Sequence, residues 1–153
     1  MEQSRRAALR TVAAGGMFAA LATVGLVSPA RASARHPAAF DATSLEDALR
    51  ALGVDVPTHS DHIEIDAPEV AEDGAVVRVA VRSALPGADR IAILIDHNPN
   101  PLAAMFSLAP GTVAAVETRV KMAQHSALTV LVRVDGRFHM ASRVVQVTVG
   151  GCG

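Results

Sequence analysis

The spacing of hydrophobic residues along this chain changes character twice. From about Thr11 to Val27 the chain is apolar without alternation. A helical spacing follows. Thr43-Ser44-Leu45-Glu46 reads as a capping box, a hydroxyl at the N-cap and a carboxylate three residues on. The helix it opens is predicted over about 44–52, with Leu45, Leu49 and Leu52 on one side and Gly53 as its stop. Val54 to Ser60, which contains Pro57, is predicted as a loop.

From His62 onward the period is two. Ile63 and Ile65 alternate with Glu64 and Asp66 until Pro68, and Val77, Val79 and Val81 alternate with Arg78 and Arg82. Ile91, Ile93 and Ile95 form the next apolar face, followed by a loop from Asp96 to Pro101 and a short strand from Met105 to Leu108. Val116 to Met122 and Leu128 to Val134 alternate in the same way, and the last strand is predicted from about Phe138 to Val149. Asp73-Gly74, Pro86-Gly87 and Pro110-Gly111 mark turns, and Asp135-Gly136 has hairpin chemistry. In the last strand Phe138 and Met140 keep one parity while Val145, Val147 and Val149 keep the other. A bulge near Ser142–Val144 would reconcile them. About seven short strands behind one small helix predict an all-β sandwich as a single domain over 35–149.

Composition narrows what fills that sandwich. Aromatic residues are 3% of the chain, with no Trp and no Tyr, so Val, Ile, Leu, Ala and Met must build the core. The first 34 residues hold Arg5, Arg6, Arg10 and Arg31 against Glu2, so with a net charge of −1 overall the remainder is acidic by 4. An acidic domain without stacking platforms is a poor nucleic-acid binder.

Residues 1–34 have the order of an export signal: basic residues, an apolar run, then small residues at Ala30-Arg31-Ala32 and Ala32-Ser33-Ala34, both of which suit signal peptidase. The paired Arg5 and Arg6 before a weakly apolar, Ala- and Gly-rich run point to the twin-arginine route and the periplasm. A membrane anchor is the alternative, but the run is marginal for spanning. Removal of the signal would leave a chain beginning near Ser33 or Arg35.

That destination bears on Cys152, the only cysteine, flanked by Gly150, Gly151 and Gly153. Residues 150–153 read as a flexible Gly-Gly-Cys-Gly arm on a rigid mount. The thiol has no second cysteine to pair with, and in an oxidising compartment such a thiol suggests a use: a mixed disulfide, a covalent adduct or a metal. No helix N-terminus or neighbouring cation lowers its pKa, and the adjacent carboxylate disfavours the thiolate. An unactivated thiol on a slim arm of at most about 13–14 Å suits a carrier served by partner enzymes better than a nucleophile acting alone.

The terminal Val147-Thr148-Val149-Gly150-Gly151-Cys152-Gly153 resembles the ending of the SoxY family, the sulfur-carrier subunits of the thiosulfate-oxidising Sox system. The stretch from Ile65 to Gly74, Asn98-Pro99-Asn100-Pro101 with Phe106 after it, Thr118-Arg119-Val120 and Asp135-Gly136 are similar as well. One glycine fewer follows the cysteine than in that family. The resemblance implies an immunoglobulin-like sandwich and covalent attachment of substrate at Cys152. It implies a SoxZ-like partner in a heterodimer. It also implies a haem c enzyme that conjugates thiosulfate, a manganese hydrolase that releases sulfate and, where present, a molybdenum–haem sulfane dehydrogenase. The carrier would have no cofactor or metal of its own and catalyse none of these steps.

Other candidates receive simpler readings. His59 and His62 near Asp61 form a His-x-x-His pair, read as a polar loop in preference to a metal site because no third ligand converges. His97 reads as a surface residue, and the Asn98–Pro101 loop as conformational. Met105, Met122 and Met140 lie at strand spacing and read as core in preference to copper ligands. The alternative functions are a periplasmic metal-binding or redox β-protein that uses Cys152, and a structural protein linked through a Cys152–Cys152 disulfide.

Overall fold

The computed structural model describes residues 36–150. Two short helices come first, α1 (Pro37–Phe40) and α2 (Leu45–Leu52), and nine strands follow among the described residues. They are β1 (Thr58–His59), β2 (Ile63–Asp66), β3 (Val70–Asp73), β4 (Val77–Ser83), β5 (Ala88–Ile95), β6 (Leu102–Ser107), β7 (Ala115–Val120), β8 (Ser126–Val134) and β9 (Arg137–Val149).

The expected helix is present, capped one residue later than the sequence suggests. Ser44, in extended geometry, is the N-cap, and its Oγ accepts the Asp47 N–H at 3.1 Å. The pair is therefore Ser44 with Asp47, in place of Thr43 with Glu46. Glu46 and Asp47 instead both reach Arg50 in the last turn. Gly53 ends the helix at φ 73°, its N–H donating to Arg50 O while the Val54 N–H donates to Leu49 O. These two bonds make a Schellman motif, and Val54 tucks into the same apolar cluster as Leu49.

The strands form two sheets. The larger runs β1-β9-β8-β5-β6 with β3 also on β9, and the smaller runs β2-β4-β7. The architecture is the all-β, immunoglobulin-like sandwich that was expected, with open sheets. Ile63, Val77, Val79, Val81, Ile91, Ile93, Ile95, Leu128, Val130, Val132 and Val145 fill the space between the sheets. At about 2 kcal/mol for each large side chain removed from water, this layer is the chief stabilising element.

A second apolar layer was not anticipated. Ala92, Leu94, Leu131 and Phe138 point out of the opposite face of the larger sheet and are covered by Ala39, Ala48, Leu52 and Val54 of the helical segment. This layer explains the last strand without a bulge. β9 pairs with β8 in unbroken register from Val134↔Arg137 to Ser126↔Val145. Phe138 and Met140 face the helices, while Ala141, Val145 and Val147 face the other sheet. The bulge proposed near Ser142–Val144 is therefore absent: both parities are apolar because both faces are covered.

Two strands lie where the sequence suggested none, the first of them inside a predicted loop. Within the stretch from Val54 to Ser60, β1 pairs in parallel with β9 at Thr58↔His139 and His59↔Met140. Beyond Pro68, β3 pairs in parallel with β9 at Val70↔Gln146, Ala71↔Val147 and Asp73↔Val149. Elsewhere the limits shift modestly. β6 starts at Leu102, and β7 stops at Val120, leaving Met122 beyond the strand although it is fully buried. Asp135 and Gly136 both have positive φ, 49° and 77°, as a two-residue primed turn requires.

Candidate functional site

The mount expected for the C-terminal arm is the end of β9, and three segments distant in sequence converge there. β8 stops pairing at Val145, so the last four residues of β9 depend on another neighbour. That neighbour is β3, reinforced by the Gln146 N–H donating to Glu69 O at 2.9 Å. Past the end of β3, the buried Gly74 continues the ladder. Its N–H donates to Val149 O at 2.7 Å, and its carbonyl accepts the Met122 N–H at 2.7 Å. The Asp73 carboxylate accepts the Ala75 N–H at 2.8 Å and shapes the turn that carries Gly74.

The loop after β7 completes the mount. Asn98 grips it at two points, donating from Nδ2 to Lys121 O at 2.7 Å and accepting at Oδ1 from the Ala123 N–H at 2.9 Å. Met122, between those two points, sits with its side chain fully buried. The carbonyl of Ala123 lies against Gly150: a Cβ built on Gly150 would be 2.2 Å from Ala123 O. No real side chain fits at that distance.

Gly150 is thus placed by the structure. Gly151, Cys152 and Gly153, and the signal residues Arg5 and Arg6, lie outside the described residues. His97 is exposed, its N–H bonded to Ser126 Oγ at 3.0 Å and its Nδ1 3.0 Å from His125 O, which agrees with a surface role. The Asn98–Pro101 loop does fix conformation. Asn100 Nδ2 donates to Ala42 O at 3.2 Å, and the Ile95 N–H donates to Pro101 O at 2.8 Å. His59 Nε2 is 3.3 Å from Asp61 Oδ1, and both side chains are open to solvent at 72% and 98%. Among the described residues no group of three or more His, Cys, Asp or Glu gathers as a metal site. Met122 packs between the sheets and Met105 and Met140 pack against the helical layer, so the methionines are core residues.

Electrostatics near the mount centre on Asp96. Its Oδ1 is buried without a partner, and burial pushes the carboxyl above its ordinary pKa against the weaker opposing effects of His97 and Thr129. At Asp89 the balance is reversed. Arg133 donates to it from Nε and Nη2, both at 2.8 Å, and this pair of hydrogen bonds holds the Asp89 carboxyl below its ordinary value.

Sequence reasoning missed β3, Gly74 and the Lys121–Ala123 loop as parts of the mount. β3 has one buried residue in four, so its alternation is too short to read. A signal for it was nonetheless present, since Ile65 to Gly74 is one of the stretches that resembles the SoxY family.

Fold and site together define a class: a two-sheet sandwich that fixes its last strand up to Gly150, just before the one cysteine of the sequence. The comparisons name it more closely. Residues 49–152 match the family model for sulfur oxidation protein SoxY, and the chain belongs to that family. It is 38% identical to the sulfur carrier protein SoxY from Chlorobium limicola f thiosulfatophilum, with a TM-score of 0.63 over 69% of this chain and 97% of that one. A search of curated proteins found no match.

Proposed function

We propose that this chain is a covalent carrier of sulfur intermediates in thiosulfate oxidation, loaded at Cys152 and acted on by partner enzymes. The observation that carries the reading is that the family match runs through residue 152, on a scaffold that holds the preceding strand to its last residue. The described residues hold the strand that precedes Cys152 in place, which is what a carrier requires.

The chemistry balances with the partners supplying the reactive groups. Joining thiosulfate to the Cys152 thiol forms an S–S bond, releases a proton and passes an electron pair to the haem enzyme. Hydrolysis of the terminal sulfone by water then breaks the second S–S bond, releasing sulfate and two protons and leaving a persulfide anion on Cys152. A sulfane dehydrogenase, where present, oxidises that sulfur. The paired Arg5 and Arg6 support a periplasmic site for these events, and a SoxZ-like subunit completes a heterodimer. Because each adduct is anionic, the enzymes should present cationic sites, and the acidic carrier favours docking to basic rims.

One preparation tests these claims together. Intact mass of the exported chain should begin near Ser33 or Arg35, and native mass should show one SoxZ-like subunit bound. After incubation with thiosulfate and the partner enzymes, a sulfur-oxyanion adduct should map to Cys152. Cys152→Ser should fold normally and take up none; label retained by that variant would sink the proposal. Retained metal would favour the metal-binding alternative, and a disulfide dimer alone the structural one.

A further inference from the structure

The glycine at the start of the arm is ordinarily explained by flexibility, but the structure gives it a different cause. Ala123 O occupies the space a Gly150 side chain would need. That carbonyl is where it is because Asn98 holds the loop from both sides, at Lys121 O and at the Ala123 N–H. On the other flank, Gly74 ties Val149 to Met122 through its own N–H and carbonyl. The exit of β9 is therefore enclosed by a closed set of backbone and amide hydrogen bonds, all between 2.7 and 2.9 Å.

We infer that Asn98 is a positioning residue for the carrier arm: through Ala123 it seats Gly150 and so fixes the point from which the arm departs. The purpose of this seat rests on the carrier reading, whereas its geometry does not. Two residues of extended chain span at most about 7 Å, so a fixed Gly150 would keep the Cys152 backbone within about that distance. With the strand end loose at Gln146 the distance would be about 20 Å. The seat thus fixes where the reach of the thiol is centred. A partner enzyme that finds the domain surface around Asn98 and Ala123 has then also found the thiol. Less orienting entropy remains to be lost on docking, which is the general advantage of preorganisation.

The single cysteine makes the test direct. A nitroxide on Cys152 and another at Val56→Cys, a position 88% exposed, lie on the order of 40 Å apart by strand rise along β9. Pulsed dipolar EPR on the full exported chain then reads the spread of arm positions. Gly150→Ala should shift the distance distribution, and Asn98→Ala should broaden it about twofold. Asn100→Ala, which removes a comparable side-chain bond from the same loop to Ala42, should leave it as in the parent. Thermal midpoints measured alongside separate a loss of stability from a loss of direction. An unchanged distribution in Gly150→Ala or in Asn98→Ala overturns the inference, as does equal broadening in Asn100→Ala. If Asn98→Ala does not fold, Asn98→Asp carries the same expectation, because it keeps the bond from Ala123 and sets a carboxylate oxygen against Lys121 O. Sulfur uptake by the parent chain is scored separately. Broadening without any adduct supports the seat and sinks the carrier reading; an adduct with unchanged distributions does the reverse.

Discussion

Asp96 shows how a single residue near the arm exit is set by its surroundings. Burial penalises its charged form, so the folded chain binds the proton more tightly than the unfolded chain does. The destabilisation is full at neutral pH and vanishes below the ordinary carboxylate range, where both states are protonated. Asp96→Asn should therefore raise the melting temperature at pH 7 by a few degrees, on the order of 1 kcal/mol, and lose that advantage near pH 3. Thermal melts at the two pH values check this, and a gain that persists in acid would point to another cause. Asp89 should behave oppositely. Its bonds from Arg133 contribute most above the ordinary carboxylate range and fade as pH falls through the depressed value. Cys152 stands out as the candidate attachment residue in the sequence because it is unique and flanked by glycine. Asn98 was legible as a loop-fixing residue, but the loop it holds was not, since Lys121 and Ala123 are 23 and 25 positions away.

Strand β9 is the element on which the molecule turns. Its two parities alternate between two apolar layers, so neighbouring residues have very different tolerance. Val144 faces outward and is 63% exposed, beyond the reach of the helices, while Val145 is fully buried between the sheets. Val144→Asp should change stability by no more than about 0.5 kcal/mol. Val145→Asp should lower it by 3 kcal/mol or more, roughly the cost of an unpaired buried carboxylate added to lost packing. Denaturant titration distinguishes the two, and a bulged strand would blur the contrast. Helix α2 was readable from its leucine spacing and Gly53, within a residue at its start, because capping signals are local. The strands β1 and β3 were not, because each is short, largely exposed and defined by pairing to β9 far along the chain.

At the scale of the whole molecule, the helical segment is a lid on the larger sheet. Without it Ala92, Leu94, Leu131 and Phe138 would meet water as a continuous apolar patch. A chain lacking residues 36–54 should retain much of its strand signal in far-UV circular dichroism, bind a hydrophobic dye strongly and associate at micromolar concentration. A truncated chain that stays monomeric and leaves the dye dark would show that the sandwich needs no such cover. The lid also buries the half of the sheet from which β9 sets out, so it supports the strand at the end opposite the arm.

What the sequence determined by itself is whatever depends on near neighbours. Period-two alternation, the capped helix, the Asp135-Gly136 turn and the isolated cysteine among glycines are all properties of short windows, and they were sufficient for the all-β sandwich and for the candidate attachment residue. Only the tertiary structure decided which apolar parity faces which layer, because covering both faces of a sheet erases the alternation that would reveal it. It alone brought β3, Gly74, Asn98 and Ala123 to the end of β9. Those contacts join positions up to 76 residues apart, most of them through backbone groups that every residue possesses, and the Asn98 amide reaches its partners across a gap that no short window spans. Gly150 belongs to both accounts: its sequence setting suggests freedom, and the carbonyl beside it requires a residue without a side chain.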